Sequence, residues 1–159
     1  MVAIEGLNVY NAAPASFIAA NEDIFAGDPA TDVLSMAIYQ DILFIITKNA
    51  GATGTATLTV ESCDNTTPSN TQTIPFRSQV TIMGNAASAW AARAAAGFDT
   101  TAGADQVYVI WVRAKDLDNG DQFVRLVATE VANNPVDGAI IAIGLNPRYE
   151  FDGVVDITS

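Results

Sequence analysis

The run Thr55-Ala-Thr-Leu-Thr-Val-Glu61 alternates without a break, with Ala56, Leu58 and Val60 on one side and Thr55, Thr57, Thr59 and Glu61 on the other. A period of two fits a β-strand with one dry face and one wet face, and it excludes an amphipathic helix at this place. Strand texture recurs along the chain. Val33 to Ile38 and Ile42 to Lys48 are apolar runs around Tyr39-Gln40-Asp41, readable as a hairpin or as one long bent strand. Gln72 to Phe76 and Gln79 to Met83 are shorter pieces, and Pro75 places the first at a sheet edge or a bulge, because proline cannot donate to a ladder. Gln106 to Arg113, Phe123 to Val131 and Gly138 to Leu145 are the most apolar segments. Both faces of QVYVIWVR are apolar, which implies cover on both sides, from a packed sheet and from a second subunit.

One segment reads as helical. Asn85-Ala-Ala-Ser-Ala-Trp-Ala-Ala-Arg-Ala-Ala-Ala-Gly97 is alanine-rich, with Asn85 placed as an N-cap, Gly97 as a stop and Trp90 as its packing anchor. Short strands, one short helix and no β-α alternation predict a mainly β fold, an antiparallel β-sandwich of jelly-roll-like type. The chain divides by texture into an extended N-terminal arm over residues 1–32 and a single β-sandwich domain over residues 33–159. Pro14, Gly27 and Pro29 break the arm, yet it carries Val2, Ile4, Leu7, Val9, Tyr10, Phe17 and Ile18. A solvated tail does not normally hold so many large apolar groups, so these seven are the candidate partner-binding residues. Packing of the same segment on its own domain is the competing reading.

The chemistry available is narrow. With no histidine among 159 residues, the chain lacks the usual general base and the commonest metal ligand. Eighteen Asp and Glu stand against seven Lys and Arg, a net charge of −11, which opposes nucleic-acid phosphates and anionic membranes. Neither partner is expected. The N-terminus lacks the basic and apolar regions of a secretory signal, and the longest apolar run, Ile42 to Ile46, is too short to span a bilayer. Cys63 has no internal partner, and a packed thiol suits it better than a nucleophile. Asp116, Asp118 and Asp121 hint at a cation loop, but EF-hand spacing fails. Asn119-Gly120 between two apolar runs is a hairpin signal instead. No catalytic residue, cofactor or metal ligand is assigned. Among the aromatics Trp90, Trp111, Tyr108, Phe123 and Tyr149, the core is the expected place for Tyr108, Trp111 and Phe123.

Three segments, TLTVESCDNTTPSNTQTIPFR from Thr57, TTAGADQVYVIWVRAKDL from Thr100 and FVRLVATEVANNPVDGAIIAIGLNPRY from Phe123, together resemble small structural proteins of tailed bacteriophages. They span roughly the C-terminal two thirds of the chain. The resemblance implies a non-enzymatic virion component, first of all a capsid cement or decoration protein on the capsid exterior, assembled in the host bacterial cytoplasm. It also implies a trimer-favouring homo-oligomer whose partner is the major capsid protein. A head-tail connector or tail protein is the alternative, and a carbohydrate-binding module a more distant one. No site motif accompanies the resemblance, so no functional residue is carried over from it.

Overall fold

The computed structural model describes residues 8–11, 23–49, 53–82, 86–103, 105–118 and 120–148. Nearly all regular structure is strand: β1 (Asn8–Asn11), β2 (Leu34–Ser35), β3 (Tyr39–Lys48), β4 (Thr55–Cys63), β5 (Thr71–Ile74), β6 (Phe76–Ile82), β7 (Ala91–Arg93), β8 (Phe98–Asp99), β9 (Gln106–Arg113), β10 (Phe123–Ala132) and β11 (Gly138–Pro147). A 3-10 turn at Ala114–Asp116 is the helical element among the described residues. The strands form two antiparallel sheets. Sheet A runs β1-β11-β3-β9-β6-β7, and sheet B runs β2-β10-β4-β5, with β8 also on β4.

The dry sides of the two sheets share one core. Ile42, Phe44, Ile46, Tyr108, Ile110, Val112, Ile140 and Ala142 of sheet A pack with Leu34, Ala56, Leu58, Val60, Val124, Leu126 and Ala128 of sheet B. At about 1.5–3 kcal/mol for each large aliphatic or aromatic side chain withdrawn from water, this layer dominates the folding energy. β4 follows its sequence alternation, with Ala56, Leu58, Val60 and Ser62 inside. The ladders pair strands distant in sequence. β3 runs against β11, β4 against β10 and β6 against β9, and these three pairs lie in sheet A, sheet B and sheet A in turn.

Several local expectations give way to this pairing. Met36–Ile38 is a turn that carries the chain from β2 in sheet B to β3 in sheet A, so the 33–48 region is neither a hairpin nor one bent strand. The edge position expected from Pro75 does hold: β5 is the edge strand of sheet B, and Pro75 sits where the chain leaves it for β6 in sheet A, a corner that asks nothing of its missing N–H. β9 and β10 belong to different sheets, so they do not form the hairpin expected between them; Asn119 itself lies outside the described residues. The expected helix over 85–97 does not form among its described residues, 86–97: Ala87 bridges Thr81, Ala91–Arg93 pairs with Phe76–Ser78, and Phe98–Asp99, just beyond, pairs with Thr57–Leu58, while the expected N-cap Asn85 lies outside the described residues. Alanine's preference for helix is a few tenths of a kcal/mol per residue, too little to outweigh ladder hydrogen bonds and the ring contacts of Trp90 and Phe98. Gly97 does keep the left-handed conformation expected of a stop (φ +76°), but in a turn between two strands.

The stretch expected as an arm is divided. Asp23 to Asp32 lie against the body. Ile24 and Phe25 are buried in the core, and Ala30 bridges Val127. Asn8–Asn11 add a strand to β11, pairing Val9 with Ile143 and Tyr10 with Ala142. Val2, Ile4, Leu7, Phe17 and Ile18 lie outside the described residues.

The crossing from β3 to β4 and that from β10 to β11 meet at one end of the molecule. A Cβ on Gly54 would stand 2.1 Å from the carbonyl oxygen of Asn134 and 2.6 Å from Val136 Cγ2. A methyl group there must force two backbones apart. Gly54→Ala is expected to cost upwards of about 2 kcal/mol, read as a lower urea midpoint at unchanged slope.

Candidate docking face

The two sheets differ on their outer sides. On sheet B, Thr55, Thr57, Thr59 and Glu61 of β4 stand beside Arg125, Val127 and Thr129 of β10. Arg125 pairs with Glu61 at 2.7 Å, and Thr57 Oγ1 donates to Asp99 Oδ1 at 2.5 Å. Beside these polar contacts β10 also carries Phe123 and Val127, half-buried, and Val131, 59% exposed. On sheet A the ladder sets Ile143, Leu43, Trp111 and Arg77 in one row across β11, β3, β9 and β6. The next row is Ile141, Ile45, Val109 and Gln79, and the next Ala139, Thr47, Val107 and Thr81. Leu43, Ile45, Val107, Val109, Trp111, Ile141 and Ile143 are half-buried, while alternate residues of the same strands fill the core. No third layer covers them among the described residues. Together they form a contiguous apolar sheet face, the candidate site of this fold.

Both tryptophans belong to this side. Trp111 lies on the outer face rather than in the core where it was expected, and its indole N–H donates to Asp41 Oδ1 at 2.8 Å. Asn146 Nδ2 holds the other oxygen of that carboxylate at 2.5 Å. Trp90, 38% exposed, packs edge-on against Trp111 with ring centroids 5.9 Å apart. The Arg77 and Arg113 guanidinium carbons lie 5.9 and 5.4 Å from the Trp111 ring centre. Arg113 is committed to Asp116, Nε to Oδ2 at 2.6 Å. Arg77 is not so placed. Its Nε is buried without a hydrogen-bond acceptor among the described residues.

The remaining sequence candidates are structural. Tyr108 is buried as expected, its hydroxyl donating to Gln106 Oε1 at 2.7 Å and accepting from Thr101 N. Phe123 is half-buried on the outer side of β10, a correction to its expected core position. Tyr149 lies outside the described residues. Asp116, Asp118 and Asp121 do not gather into one site: Asp116 holds Arg113, and Asp121 Oδ2 accepts from Ser62 Oγ at 2.5 Å. Lys48 is buried, donating to the carbonyls of Gly54 and Thr101 at 2.8 and 2.9 Å. Burial pushes its amine below the ordinary lysine value, against a smaller opposing pull from Asp23. A cleft of about 270 Å³ lined by Met36, Ala37, Ala114, Leu117, Asp121, Gln122 and Arg148 opens at the other end of the sheets. Its carboxylate, Asp121, is already engaged by Ser62.

The chain matches no family model, no curated protein and no solved structure. Sequence reading placed Trp111 in the core and passed over Arg77, Leu43, Ile45, Ile141 and Ile143. The available signal was the unbroken apolar character of β3, β9 and β11 taken together, since three neighbouring strands of that kind leave one side of a sheet dry.

Cys63 is fully buried, and burial pushes its thiol up to about 11. The thiolate is the species that alkylates, and it is scarce below that value. Iodoacetamide at pH 8 is therefore expected to leave the native protein unmodified and to label it completely in denaturant, as read by intact mass.

Proposed function

We propose that this chain is a virion structural protein of a tailed bacteriophage, a capsid cement or decoration protein that binds the outer shell surface and bridges capsid subunits. The observation that carries the reading is the outer side of sheet A, where Leu43, Ile45, Val109, Ile141 and Ile143 stand half-buried in adjoining rows with no third layer over them among the described residues. Such a body adheres by one side and faces water with the other. The net charge of −11 suits a protein displayed in many copies, because like charge keeps decorated particles apart. Bridging several subunits also multiplies weak contacts into firm attachment.

In the same reading, the three long ladders wound alternately through the sheets make a jelly-roll-like sandwich, a rigid body for such a surface. The working unit is a homo-oligomer, with a trimer favoured. β1 covers β11 at Ile141–Gly144, and the stretches on either side have no neighbour there among the described residues, an edge suited to an adjacent copy. The major capsid protein is the partner, with neither nucleic acid nor membrane involved. A connector or tail role would use the same adhesive side, and copy number per particle separates the two.

Light scattering of the purified protein is expected to give three times the monomer mass. In co-sedimentation with shells built from the same virus's major capsid protein, the wild type is expected to pellet at saturable stoichiometry. Ile45→Asp should weaken this more than tenfold, and Thr59→Asp on the opposite side should leave it unchanged. Absence of wild-type binding would end the cement reading.

A further inference from the structure

We propose that the cleft between Met36, Leu117 and Arg148 is a docking slot for this chain's own residues 149–159, which set Tyr149 and Phe151 against its apolar walls. The proposal goes beyond the adhesive reading of sheet A and does not depend on it.

Three passages of the chain build the cleft. The turn from β2 to β3 brings Met36 and Ala37, the stretch from β9 to β10 brings Ala114, Leu117 and Asp121, and the exit from β11 brings Arg148. Met36 is buried, Ala114 and Leu117 are half-buried and Ala37 is exposed, so the apolar lining runs from the interior to the surface. Met36 N donates to the Gln122 carbonyl at 2.8 Å and holds two of the passages together.

The exit of the chain is tied to this cleft. Asn146 takes a left-handed φ of +53°, and its side chain donates to Asp41. Arg148 N then donates to the Ile38 carbonyl at 2.7 Å, in the same turn that supplies Met36 and Ala37. Residue 149 therefore starts one peptide bond beyond a residue of the lining.

Size and composition match. A cavity of about 150 Å³ is enough for benzene. A cleft of about 270 Å³ takes a ring and part of a second side chain, and not a whole segment. Residues 149–159, YEFDGVVDITS, offer Tyr149 and Phe151 next to the exit, then Asp152 and Asp156, and hold no cation. The Arg148 guanidinium is exposed, with neither hydrogen bond nor ion pair among the described residues. Glu150 and Asp152 complement its charge, while Asp121 of the lining accepts from Ser62. An exposed ion pair is weak, so the rings carry the docking.

Proximity decides the occupant. A side chain held one to three residues from its slot meets it at an effective concentration of millimolar order, which any separate partner must match. Residues 12–22 run from Asn11 to Asp23 at the opposite end, where Ile24 N donates to the Val136 carbonyl. Residues 1–7 lead into Asn8, paired with Gly144 rather than with the cleft, and contain no aromatic ring.

Amide hydrogen exchange on the full chain tests the proposal. The amides of residues 150–157 are expected to exchange at least tenfold more slowly than in a free peptide. Phe151→Ala and Ala37→Glu should each return them to free-peptide rates, with protection of β3 and β9 unchanged. Ala37 is exposed, so its variant spares the core, and if β3 is disturbed nonetheless Phe151→Ala decides. Free-peptide exchange in the wild type would overturn the proposal, whatever else fills the cleft. Protection kept in both variants would put the segment elsewhere and overturn it as well. A double variant, Ala37→Cys with Phe151→Cys, is expected to oxidise to a cross-linked species of monomer mass with both new thiols consumed. A dimer instead would give the cleft to a second copy and overturn the choice of occupant, and no cross-link at all would overturn the slot. None of these readouts involves shell binding, so failure here and failure of the cement reading are told apart.

Discussion

The whole architecture depends on one constraint: two sheets must bury a common apolar layer while nearly every long ladder joins remote parts of the chain. Lys48 pairs with Gly138, Cys63 with Phe123 and Ile82 with Gln106. Once these ladders exist, the connections have little freedom. Where the passage from β3 to β4 touches that from β10 to β11 near Gly54, only hydrogen fits. The buried Lys48 amine ties the same end together through two carbonyls, one on Gly54 and one on Thr101. The two carbonyl hydrogen bonds offset part of the hydration that the buried amine gives up.

What the amino-acid order reveals is the strand, and what it conceals is the strand's neighbour. β4 was legible residue by residue, since Thr55 to Glu61 alternates and each residue lies on the expected side. The two apolar faces of β9 were legible as well, and they are the sequence trace of the apolar outer side of sheet A. The hairpins failed for a physical reason. A turn motif such as Asn119-Gly120 reports that the chain reverses, and it reverses equally well within a sheet or across the gap between two. The alanine stretch failed because its preference is local and weak, while Phe76–Ser78 and Thr57–Leu58, far off in sequence, offered open hydrogen-bonding edges. Trp111 was misplaced because its neighbours Ile110 and Val112 are core residues, and a shift of one residue along a strand exchanges inside for outside.

The contrast between the outer sides gives the molecule a direction. Sheet B closes its polar groups on one another, through Thr57 with Asp99 and Glu61 with Arg125. Sheet A leaves aliphatic side chains and a pair of indoles on its exterior, with one arginine nitrogen unanswered. In a chain so poor in groups that titrate near neutrality, this lopsidedness is the most developed chemical feature of the fold.

The order of the strands also bears on how the protein is made. β3, the segment YQDILFIITK, sits at the middle of sheet A, but both of its neighbours, β9 and β11, come from the last third of the chain. During synthesis at roughly 5–20 residues per second, that strand must wait several seconds beyond the ribosome before either edge is taken. A nascent chain in that condition is a client for holdase chaperones, and a message cut short before Gly138 would release a product whose most adhesive strand lacks half of its natural shelter.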